Sequence, residues 1–238
     1  MGCNQAQNIR RQALRDSRPV TFRAPDGTQL AARLFGPEAA SAGVVLSHVT
    51  LSDQSAWFDF ADRLGVAGYR VLTFDLPGVC PGGDAGCSGG AGSPQGAWQD
   101  VLAALKYLRA RGPGRMALVG AGLGGTASLV AAARQPPGLD AVITLSAGIS
   151  VQGLVAGPDV LQSVTAAKLF VAGGDDTLGA QSAQAFYDSS VPPKDVELLT
   201  TADQGTDLLG GNQGERSRDL ILGWLTRYLP VTPAGSAP

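Results

Sequence analysis

Short apolar runs, each separated from the next by a stretch with helical spacing, constrain this chain more than any other feature. Gly43 to Leu46, Arg70 to Phe74, Met116 to Val119, Ala141 to Leu145, Leu169 to Ala172 and Val196 to Leu199 read as strands buried on both faces. Between them, Ser55 to Leu64 carries apolar residues at helical intervals (Trp57, Phe58, Phe60, Ala61, Leu64). Trp98 to Leu108, Leu123 to Arg134, Ala180 to Tyr187 and Arg216 to Tyr228 also read as helices. Strands alternating with helices predict a mostly parallel sheet covered on both faces. Ahead of this pattern, Val20 to Arg23 and Leu30 to Phe35 flank an Asp26-Gly27-Thr28 turn, which predicts an antiparallel hairpin. Residues 1–17 are polar and read as a tether or short leading segment, 18–229 as one domain, and the Pro-, Gly- and Ser-rich 230–238 as a disordered tail. No internal repeat or second domain is visible.

Charge and hydropathy then exclude two classes of function. The net charge is −2 and the pI about 5.3. With no basic run, nothing in the chain favours nucleic acid. No apolar stretch approaches the ~20 residues of a membrane-spanning helix. Arg outnumbers Lys, and Ala and Gly are abundant, which suggests a GC-rich bacterial genome.

Four blocks carry a resemblance to the α/β-hydrolase family, in particular its small lidless members of the dienelactone-hydrolase or lysophospholipase kind. VVLSHVTLSDQSAWFDFADRLGVAGYRVLTFDLPG resembles the oxyanion strand, first helix and following strand-loop. LVGAGLGGTASLV resembles the nucleophile elbow, LFVAGGDDTL the acid turn and LLTTADQGTDLL the base loop. The resemblance runs from about Val20 to Leu229. It implies an α/β-hydrolase fold with no large lid, because the span between Ala147 and Lys168 is short. It also implies catalytic positions, and at two of them the expected residue is replaced. The elbow is Gly120-Ala121-Gly122-Leu123-Gly124, where the family has Gly-x-Ser-x-Gly, so Gly122 stands at the nucleophile position. Gln204 stands at the base position, and an amide does not accept a proton near neutral pH. The acid position is Asp176, with Asp175 as the neighbouring alternative. Catalytic residues are therefore expected to be absent, with Gly122, Asp176 and Gln204 as vestigial positions.

The same resemblance implies a residual ligand site. Backbone N–H groups of Val49 and Leu123 would face the former oxyanion position, and His48, the only histidine, would shape that loop. Space left at Gly122, together with a Gln204–Asp176 hydrogen bond, would give a cavity for a small carbonyl- or carboxylate-bearing ligand. A glycine at a strained elbow relieves ~1–3 kcal/mol that a residue with a Cβ would bear. The alternatives are an esterase-like hydrolase acting through other residues and a structural or interaction protein. A third is dinucleotide binding through the Gly-x-Gly-x-x-Gly of Gly120 to Gly125, although the next strand ends in Ser146 rather than an acid. The Gly-x-Ser-x-Gly at Gly86 to Gly90 lacks a helix opening at Ser88 and is not expected to be a nucleophile elbow.

The three cysteines bear on compartment. Cys80 and Cys87 share one Gly-rich loop and are expected to form a disulfide, which implies an oxidising environment. Cys3, after Gly2, looks like the lipidated cysteine of a bacterial lipoprotein, giving an extracytoplasmic, membrane-attached expectation with a cytoplasmic alternative. No metal or cofactor is implied.

Overall fold

The leading hairpin and the apolar runs join in a single eight-stranded sheet. The computed structural model describes Leu14, residues 17–134, Pro136 and residues 138–231. Its strands are β1 (Arg18–Arg23), β2 (Gln29–Phe35), β3 (Ala42–Ser47), β4 (Arg70–Phe74), β5 (Arg115–Ala121) and β6 (Leu139–Leu145). They continue with β7 (Ser150–Val151), β8 (Leu154–Val155), β9 (Ala167–Gly173) and β10 (Lys194–Leu199). The sheet runs β1-β2-β4-β3-β5-β6-β9-β10, with β7 and β8 forming a separate small hairpin. β2 is antiparallel to both β1 and β4, and every later pairing in the large sheet is parallel.

Alternation along the strands sends side chains to two cores. Val45, Leu72, Leu118, Val142 and Phe170 meet α2 (Ala97–Arg109), α3 (Leu123–Ala132) and α5 (Thr177–Ser189) on one face. Val44, Leu46, Val71, Val119 and Ile143 meet α1 (Phe58–Val66) and α6 (Gly214–Tyr228) on the other. α3 is buried along its whole length, as expected for the helix that crosses the middle of the sheet.

The element boundaries differ from the sequence expectation where capping outweighs periodicity. Asp53 accepts from the Ser55 N–H and opens a 3-10 turn, Gln54–Trp57, so α1 begins only at Phe58. Asp176 caps α5 by accepting from the Gly179 N–H at 3.1 Å, which starts that helix three residues before Ala180. The span after Ala147 holds the β7–β8 hairpin and a short α4 (Pro158–Ser163), neither expected from the sequence. Two-residue strands carry no readable period. Cys3, most of the expected tether and residues 232–238 lie outside the described residues, although Leu14 packs on the core beside α1 and α6. Among the described residues no helix is long and apolar enough to cross a membrane.

Candidate functional site

The parallel register brings the strand ends that matter to one rim. Ser47 pairs with Phe74 on one side and with Gly120 on the other. The loops leaving β3, β4 and β5 therefore open side by side at the carboxyl edge, the usual place for a site in an open α/β sheet.

Between β5 and α3 the chain turns at Gly122, with φ 49° and ψ −118°, a backbone region that glycine enters without steric cost. Its neighbours show how tight the turn is. A Cβ at Gly120 would lie 2.3 Å from the Gly124 carbonyl oxygen, and one at Gly124 would lie 2.4 Å from the Ser47 oxygen. The glycines of the Gly120–Gly125 pattern are thus explained by strand crossing helix at close range, with no phosphate required. The space expected above Gly122 is not there. A Cβ built on Gly122 would lie 2.6 Å from Val49 Cγ2, so the valine side chain occupies the place where a nucleophile would project. Val49 enters this site through its side chain, and the sequence offered no sign of that direction.

Opposite the elbow, Gln204 Nε2 donates to Asp176 Oδ1 at 3.0 Å. Asp176 is buried, whereas Asp175 is exposed, which settles which of the two acids faces the base loop. His48 is 1% exposed. The Leu76 N–H donates to its Nε2 at 3.1 Å, so the proton sits on Nδ1, 2.8 Å from the Val49 oxygen. Burial pushes the imidazole below its usual range, against the opposing pull of its bond to Val49 and the charge of Asp53. Both ring nitrogens are engaged, and the ring fastens the loop after β3 to the loop after β4.

A family model described as serine aminopeptidase, S33, matches residues 38–171, more than half of the chain. The chain belongs to this family of α/β-hydrolases. Solved structures agree on the fold. An esterase of Pyrococcus furiosus has a TM-score of 0.76 at 16% identity, over 91% of this chain and 93% of its own. The esterase domain of a Rhodothermus marinus protein has a TM-score of 0.68 at 24% identity, over 89% of this chain and 99% of its own. A bacterial membrane phospholipase A has a TM-score of 0.72 at 14% identity, over 94% and 90%. No curated protein matches the sequence.

In this S33-family chain the Gly-x-Ser-x-Gly of Gly86 to Gly90 is a structural knot. The Ser88 hydroxyl donates to the Asp75 backbone carbonyl at 2.8 Å and accepts from the Ala31 N–H at 2.9 Å. Cys80 and Cys87 are joined by a disulfide across the same loop. Asp75 accepts from both the backbone and the side-chain amide of Gln54. Burial lifts its carboxyl to about 6, against the lowering effect of those bonds.

Beside the elbow, the S33-family chain keeps a cavity of about 150 Å³. His48, Thr50 and Leu51 form one wall, Val79 of the disulfide loop another, and Leu123 at the start of α3 reaches it as well. The β7–β8 turn contributes Gln152. Asp100 of α2 is the only charged residue among the described residues of the lining. It is 7% exposed, and burial, with the Asp26 charge adding to it, raises its carboxyl to about 7. Of the residues expected to bind a ligand, the cavity unites His48 and Leu123, whereas Gly122, Val49, Asp176 and Gln204 are not in its lining. Sequence reasoning missed Asp100, Thr50 and Gln152. Asp100 was within reach: it follows Ala97 by three positions and precedes Ala104 by four, on the inward stripe of the helix.

Proposed function

We propose that this chain is a non-catalytic member of its hydrolase family that holds a small ligand in the cavity beside the former elbow. The observation that carries the reading is at the elbow: glycine stands where the nucleophile belongs, and Val49 fills the volume above it. Two further features support it. Gln204 satisfies Asp176 where a histidine would be oriented, and the chain's one imidazole is tied at both nitrogens. Acyl transfer needs an electron pair at the elbow and a base to free it. The cavity has its own mark of function. Leu51 and Gln152, two of the three non-glycine residues described at positive φ (63° and 49°), stand on its lining, and such strained positions gather at ligand sites.

A second reading is supported by the similar solved structures, several of which are esterases: an esterase-like hydrolase whose nucleophile lies elsewhere on the rim. Hydrolysis of short-chain aryl esters separates the two. The non-catalytic reading expects no turnover above the buffer rate for the natural chain. It also expects turnover to appear when Gly122→Ser and Gln204→His are combined with Val49→Ala, which clears the space above residue 122. Turnover by the natural chain at an enzymatic rate would decide for the esterase.

A further inference from the structure

The cavity contains groups that no described residue satisfies. Asp100 has no hydrogen-bond partner among the described residues, although it is more than nine-tenths buried. The Thr50 hydroxyl, of the same lining, is buried and also unpartnered among the described residues. A buried polar group left unpaired costs ~1–3 kcal/mol, and more when it carries charge. A structural role for Asp100 would supply it with donors, as Gln54 supplies Asp75. No lysine or arginine stands in the lining. The titratable neighbours among the described residues are His48, of the same lining and bonded at both ring nitrogens, and Asp26 from the turn between β1 and β2. The net field on Asp100 therefore invites a cation and repels an anion.

We propose that the cavity binds a small organic ammonium ion, with the Asp100 carboxylate as its counter-charge, the Thr50 hydroxyl accepting a second N–H, and a short apolar remainder lying against Val79 and Leu123. This rests on the reading of the cavity as a ligand site and replaces the carboxylate that the sequence suggested. Three donors on a compact ammonium head suit one carboxylate and one hydroxyl in so small a space.

The test is titration calorimetry of the whole chain at pH 8 with three probes of one size: n-butylammonium, butanol and butyrate. Butylammonium is expected to bind at least tenfold more tightly than butanol, and butyrate more weakly than either. Asp100→Asn should erase the preference for the amine and keep the butanol affinity. Leu51→Lys, a substitution at a fully exposed position of the lining, adds a positive charge beside the cavity and should lower the ratio of amine to butanol affinity severalfold, so the outcome does not depend on Asp100→Asn folding. Butanol or butyrate binding as well as the amine would overturn the ammonium assignment and leave the ligand cavity standing. So would an amine preference that survives in Asp100→Asn or is unmoved in Leu51→Lys. Binding by none of the three at millimolar concentration would overturn the ligand-site reading itself.

Discussion

Val49 and Gly122 behave as one unit. A side chain at 122 meets Val49 Cγ2 at 2.6 Å and takes up a φ of 49° that suits glycine, so Gly122→Ser is expected to cost at least ~1–3 kcal/mol in stability. Urea unfolding of Gly122→Ser, Val49→Ala and the pair checks this. The double variant should be less destabilised than the sum of the singles, and simple additivity would mean the two side chains do not compete for one space. Asp100 makes a second residue-scale prediction. Its carboxyl, ordinarily near 3.8, is raised to about 7. Between those values the folded chain keeps a proton that the unfolded chain has released, so this group's contribution to stability falls as pH rises through the window and is lost above about 7. Asp100→Asn should therefore stabilise the chain at pH 8, by at most about 4 kcal/mol, and much less near pH 4. A gain independent of pH would contradict it. Glycine at 122 and glutamine at 204 could be read from the sequence because each stands in a motif of fixed spacing. The Val49 contact could not, because a valine after a strand does not reveal which way it points. Asp100 is masked by its own type: an aspartate in a helix's first turn reads as exposed unless its place on the apolar stripe is given more weight than its charge.

At the scale of elements, the loops after β3 and β4 are held as a pair. His48 joins them at one point and Gln54 to Asp75 at another. The arch between, with Thr50 and Leu51, forms one side of the cavity. Replacing His48 with Ala removes the acceptor of the Leu76 N–H and leaves that buried donor unpaired, a loss of ~1–3 kcal/mol measurable by thermal unfolding. An unchanged melting temperature would mean the imidazole does not fasten the loops. The Cys80–Cys87 bridge acts on the part of the lining that carries Val79. Closing so short a loop is worth about 2–3 kcal/mol, so the Cys80→Ser, Cys87→Ser pair should lower stability by about that much and weaken ligand in the cavity through Val79. Strand positions and helix placement were legible because apolar runs of four residues or more and period-3.6 patterns are strong signals, whereas the order of the strands in the sheet was not read from them. The β7–β8 hairpin was not legible, because two-residue strands lie below any period, and its turn nevertheless delivers Gln152 to the cavity.

At the scale of the molecule, the whole hydrolase scaffold is kept, including the tight crossing of β5 by α3 and the capped acid turn, while the rim it supports is closed at the elbow and open beside it. On the proposed reading scaffold and chemistry separate here, since membership of a hydrolase family does not by itself assign a reaction. The most direct test is covalent: incubate the natural chain with a serine-reactive fluorophosphonate and measure the mass of the intact protein and its peptides. The account predicts no adduct on the natural chain, and an adduct at residue 122 only in the variant combining Gly122→Ser, Gln204→His and Val49→Ala. Stoichiometric labelling of the natural chain at any serine or threonine of the rim would contradict it.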